Sequence, residues 1–201
     1  MSLQEWYDKY KDYIVAVYTY GSRANPYIKN PEDHDYLAFV QTNDDLYYMN
    51  DHLDEIVTED SGIHVVLKAI DNFSDTPHKC GDYIYKFINK IYGKDVDCHY
   101  NILYKEEEYM DVLKRLSQEF SYSDPDDPTK THKRWYHVLM GLFILQNFSY
   151  ELTDEQIEII NLAHEGHCPK KWYDWCIKTL DIIPREKLEE SKKEMEKKFI
   201  I

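Results

Sequence analysis

Two short motifs at a fixed spacing constrain this chain more than any other feature. Residues Ile14 to Tyr20 form an apolar, β-rich run that ends in Gly21-Ser22. Ten residues further on, Asp33-His34-Asp35 opens a second such run that continues to Val40. This order predicts a strand, a tight turn, a loop and a second strand. Side chains two apart on a strand share a face, so Asp33 and Asp35 are expected to project together beside the Gly-Ser turn. Two carboxylates aimed at one point suit Mg²⁺ or Mn²⁺. Gly21 would let the backbone approach a phosphate, with the Ser22 hydroxyl and nearby N–H groups donating to its oxygens. A metal beside a phosphate cradle is what phosphoryl or nucleotidyl transfer needs, because that chemistry is largely positioning and charge neutralisation.

At these residues the sequence resembles the DNA polymerase β-like nucleotidyltransferase superfamily, whose signature is a hydrophobic residue, Gly-Ser, a spacer of about this length and Asp-x-Asp. Tyr20-Gly21-Ser22-Arg23 looks most like small stand-alone nucleotidyltransferases of bacteria and phages. One departure is His34, where the family usually has an aliphatic or aromatic residue. The resemblance implies an enzyme that moves a nucleoside monophosphate from an NTP to a hydroxyl acceptor and releases pyrophosphate. It also implies that Asp33 and Asp35 hold Mg²⁺ or Mn²⁺, and that a third carboxylate on a neighbouring strand serves as ligand or base. Asp97, expected on the wetter face of a fourth strand, and His64, in the third, compete for that place. Asp97 is preferred because a hard cation favours oxygen over imidazole. Arg23, just after the turn, is suited to clamp a phosphate through two parallel hydrogen bonds.

The net charge of −14 limits the acceptor. Such a field repels polyphosphate, so binding to bulk nucleic acid is not expected, whereas a metal-escorted NTP remains compatible. A protein side chain, a small molecule or a specific RNA end is left as acceptor. Cys80, Cys98, Cys168 and Cys176 are scattered without a Cys-x-x-Cys pair, as in a reduced, cytoplasmic protein. No apolar run approaches membrane-spanning length, so no membrane partner is expected.

The remaining pattern predicts an α/β nucleotidyltransferase-like domain, a mixed sheet covered by helices, over residues 1–120. An acidic Pro-rich linker (121–130) and an all-helical C-terminal domain (131–201) follow. In the first domain, helices are expected over Ser2 to Tyr13, Thr42 to Val57, Asp82 to Tyr92 and Lys105 to Phe120, with third and fourth strands over Ile63 to Ile70 and Val96 to Tyr104. In the second, helices are expected from Thr131, Thr153, Pro169 and Arg185. Lys133-Arg134-Trp135-Tyr136-His137 is similar to the Lys/Arg-x-x-x-His helix that follows the catalytic domain in these relatives, which implies that Lys133 and Arg134 reach the β- and γ-phosphates. Their place in an N-terminal helical turn, where cations are unfavourable unless an anion is present, points the same way. His164 and His167, three apart around Gly166, do not match a helical zinc motif. The alternative to an enzyme is a catalytically inactive relative that binds a protein through its Tyr/Trp-rich helices.

Overall fold

The computed structural model describes residues 1–31, 33–56, 63–72, 82–98, 102–103, 109–114 and 128–182, with backbone alone at 72, 82, 128–133 and 181–182. The chain divides into two compact units, Met1–Thr76 with Ile84–His99 and Pro77–Tyr83 with Tyr100–Ile201. The expected linker, up to residue 127, and the expected helix from Arg185 lie outside the described residues.

In the first unit, α1 (Leu3–Tyr10) starts at Ser2 in a capping box. The Ser2 hydroxyl accepts from the Glu5 N–H, and the Glu5 carboxylate accepts from the Ser2 N–H at 2.8 Å. Leu3, Trp6 and Tyr10 then recur on one helical face and are buried. β1 (Ile14–Thr19) pairs antiparallel with β2 (His34–Val40), which pairs parallel with β3 (Ile63–Ala69). β4 (Lys90–Gly93) pairs antiparallel with the other edge of β1, giving the order β3-β2-β1-β4. A four-residue helix, α2 (Gly21–Ala24), follows β1, and α3 (Asn43–Asn50) follows β2 from a second capping box, Thr42 with Asp45.

Alternation along the strands sorts the sheet faces. Ala38 and Val40 of β2 and Val65, Leu67 and Ala69 of β3 pack with Leu3, Trp6, Tyr10 and Met49 of the helices. The intervening residues, including Asp35 of β2 and His64 of β3, therefore take the opposite face.

Three expectations fail here. The segment expected as a helix over Asp82 to Tyr92 is a 3-10 turn (Asp82–Lys86) followed by β4. Its β-favouring Ile91 and Tyr92 complete the open edge of β1, with Val17 opposite Tyr92, and long-range pairing overrides the helical period. Gly93 permits this approach: φ is +83°, and a Cβ there would stand 2.2 Å from the Val15 carbonyl oxygen. The strand expected from Val96 is absent over residues 96–98, where Val96 instead bonds the Tyr18 hydroxyl through its N–H at 3.0 Å. The helix from Thr42 stops at Asn50, and the chain tightens into a 3-10 turn over Leu53–Glu55.

The second unit is helical where it is described: α4 (residues 109–114), α5 (Pro128–Asn147), α6 (Asp154–His164) and α7 (Lys170–Ile182). α5 begins three residues before its expected start, with Pro128 at its first position, where a missing N–H costs nothing. Gly141 lets α4 approach α5 closely, since a Cβ there would lie 2.9 Å from the Tyr109 ring. Trp135 packs edge-on to Tyr173, and Phe143 lies against Trp172 and Trp175. Among the described residues no helix is long and apolar enough to cross a membrane.

Candidate functional site

The β1–β2 ladder runs one residue beyond its last strand pair, Thr19 opposite Tyr36. The Tyr20 N–H donates to the Asp35 carbonyl at 2.9 Å. This register delivers Gly21 against the Asp35 side chain. A Cβ at Gly21 would stand 2.1 Å from Asp35 Oδ2 and 2.8 Å from its Cγ, and φ at Gly21 is +63°. Only glycine meets both conditions without strain.

Arg23, at the other end of α2's single turn, ties that turn to the start of β2. Its Nε donates to the Asp33 carbonyl at 3.3 Å, and Nη2 lies 3.0 Å from His34 Nε2. The ten-residue excursion is thus closed at both ends by contacts between its flanking motifs. Asp33 itself is exposed and precedes β2, whereas the half-buried Asp35 lies within it. The expectation that both aspartates stand on one strand holds for Asp35 alone.

His64 is directly opposite Asp35 in the parallel β2–β3 register, with its Nδ1 3.5 Å from Asp35 Oδ1. Asp97, the preferred third carboxylate, is exposed in irregular chain after β4. With Pro26, Lys86, Asn89 and Lys90 it borders a cleft of about 930 Å³ beside β1. Sequence reasoning missed this cleft because its segment was expected to be helical. Within it the Lys90 ammonium bonds Asp95, which raises the Lys90 pKa. Burial raises the pKa of Tyr18, which also lines the cleft, and pushes the neighbouring Cys98 thiol up to about 11.

Arg134 is exposed on α5 in the second unit, and the Lys133 side chain lies outside the described residues. His164 is buried against Tyr136, and Gly166 (φ +82°) turns the chain out of α6, which disposes of the helical zinc pattern. Among the described residues no three His, Cys, Asp or Glu side chains form a metal-binding group. Cys98, Cys168 and Cys176 are buried thiols outside any disulfide, and Cys80 lies outside the described residues.

The architecture is similar to that of spectinomycin adenyltransferase AAD(9) from Enterococcus faecialis, solved with ATP and spectinomycin. The TM-score is 0.56 at 11% sequence identity, and the match covers 89% of this chain and 96% of that one. The mixed four-stranded sheet with its helices is a fold shared with that protein. No family model matches the chain. No curated protein matches it either. At this identity the shared architecture speaks for the fold, and the chemistry has to be argued from the residues on it.

Proposed function

We propose that the protein is a metal-dependent nucleotidyltransferase that moves a nucleoside monophosphate from an NTP to a hydroxyl acceptor. The observation that carries this is the seating of the Gly21-Ser22 turn on the Asp35 carboxylate, within a sheet of nucleotidyltransferase architecture. In the reaction the acceptor oxygen bonds to the α-phosphorus, the bond from that phosphorus to the bridging oxygen breaks, and pyrophosphate leaves while the hydroxyl proton passes to solvent or a base.

The donor set fits a divalent cation. Mg²⁺ is commonly held by one or two carboxylates, with phosphate oxygens and water filling the rest of its shell. Asp33 and Asp35 are two such carboxylates on the strand start that Arg23 and Gly21 pin to the turn. When bound, the ion would neutralise triphosphate charge and polarise the acceptor hydroxyl. Gly21 keeps the space beside Asp35 free of a side chain, and Ser22 supplies a hydroxyl donor. Arg23 holds the start of β2 in place through Asp33 and His34. His64, on the strand beside β2, lies opposite Asp35. An adenylyl donor is the natural first candidate, since the structural neighbour was solved with ATP.

One observation favours a second reading, a catalytically inactive relative: the position opposite Asp35 holds an imidazole instead of a carboxylate. Thermal unfolding of the wild type and of Asp33→Ala/Asp35→Ala, with Mg²⁺ or Mn²⁺ and each NTP, separates the two. A ligand bound only by the folded state raises its stability by RT ln(1 + [L]/Kd). An NTP shift that needs metal and both aspartates is expected. A wild type indifferent to every NTP would defeat the transferase reading and leave the binding module.

A further inference from the structure

The β2 ladder starts at His34, opposite Ile63, so Asp33 lies one residue outside it. Asp35 is held by the sheet itself, through its carbonyl on the Tyr20 N–H at 2.9 Å. Asp33 lacks that support: among the described residues its tie to the turn is Arg23 Nε, which donates to its carbonyl at 3.3 Å. We propose that Arg23 and His34 form a positioning pair that sets Asp33 for nucleotide binding, with Arg23 acting through this segment of chain and not as a phosphate ligand. The inference rests on the transferase reading above.

The chemistry of the two side chains supports it. A guanidinium carries N–H donors in a rigid plane and no acceptor. Arg23 Nη2 stands 3.0 Å from His34 Nε2, so that nitrogen accepts with its lone pair and the ring proton sits on Nδ1. Nε and Nη2 share one edge of the guanidinium, an edge whose parallel N–H groups are suited to grip two oxygens of a phosphate. Here that edge spans the Asp33 carbonyl and the imidazole of the next residue.

The imidazole contact gives the carbonyl contact its direction. Arg23 is exposed on its single-turn helix, and a bond of 3.3 Å is just beyond the usual N–H···O range of about 2.7–3.2 Å. Without His34 a long, mobile side chain would hold Asp33 by that one bond. With it, the planar fork is fixed at two points, and the start of β2 is held in both position and orientation. A misplacement of about 1 Å at such a position is enough to matter for a bound reactant.

The test is a double-mutant cycle on the ATP affinity of the full chain, with Mg²⁺ or Mn²⁺, for wild type, Arg23→Ala, His34→Ala and the double variant. Unliganded unfolding curves set a temperature at which all four are folded. Arg23→Ala is expected to weaken ATP about tenfold, the worth of a charge-assisted hydrogen bond. His34→Ala is expected to weaken it less, and the double variant no more than Arg23→Ala alone. His34→Gln keeps an acceptor near the Nε2 position and is expected to recover most of the lost affinity. Penalties that add in the double variant place Arg23 on the nucleotide itself and overturn the proposal, as does an unchanged affinity in His34→Ala; the transferase reading survives either result. A wild type that binds no ATP with either ion overturns both.

Discussion

A methyl group on Gly21 would stand 2.1 Å from the Asp35 carboxylate oxygen, so the turn and the strand residue are fitted to each other with no room for a side chain. Gly21→Ala combines that clash with a positive φ and is expected to cost about 1–3 kcal/mol. Urea unfolding measures it. Gly93→Ala meets the Val15 backbone at 2.2 Å and should cost as much. The two variants should part on nucleotide binding, which Gly21→Ala impairs and Gly93→Ala leaves near the wild-type Kd.

Asp33 and Asp35 should separate by stability. Asp33 is exposed, and Asp33→Asn should leave unliganded stability within about 0.5 kcal/mol of wild type. Asp35 lies half-buried between Gly21 and His64, so Asp35→Asn should shift the unliganded melting temperature measurably. Both variants should lose the metal-dependent NTP shift, as should the wild type in EDTA. An NTP shift that persists in EDTA would show that metal is not part of the site.

Trp6 anchors α1 on the sheet: it is fully buried, and its Nε1 donates to the His52 carbonyl at 3.0 Å. Trp6→Ala should cost about 3–5 kcal/mol, the range for emptying a large core position. Trp6→Phe keeps most of the packing and leaves that carbonyl without its indole donor, so about 1–3 kcal/mol is expected. Chemical denaturation of the three proteins checks the order.

The Lys9 ammonium 2.6 Å from Glu55 holds that carboxyl down at about 2, with His52 contributing a further hydrogen bond. A carboxyl whose folded pKa lies below its unfolded value stabilises the fold above the unfolded value, near 4.5, and that stability is lost as pH falls through about 2. The melting temperature of wild type should therefore exceed that of Glu55→Gln at pH 6, and the difference should shrink as pH drops from 4.5 toward 2. Solvent exposure keeps the difference small. A difference independent of pH would place the effect in packing and not in charge.

Much of the site's framework was legible in the chain. Gly21-Ser22 ending one β-rich run and Asp35 near the start of the next fixed a turn against a strand, because strand alternation and glycine's freedom act over a few residues. The capping boxes at Ser2-Glu5 and Thr42-Asp45 were equally local, and the helices start where those side chains satisfy the free N–H groups. The segment 82–98 was misread for the converse reason. Nothing within it announces that β1 has an open edge, and Lys90–Gly93 is a strand only because Val17 and Ala16 offer it partners.

Sequence alone determined the elements and residue types that a nucleotide site of this kind would need, since turns, caps and alternation are written in near neighbours. Tertiary structure decided the partners. The parallel register of β2 and β3 set His64 opposite Asp35, and strand pairing at the other edge left Asp97 outside the sheet and on the rim of the cleft. The physical reason is that register is a property of two strands far apart in the chain. Shifting it by one residue would turn the opposing side chain to the other face while leaving every local pattern in the sequence unchanged.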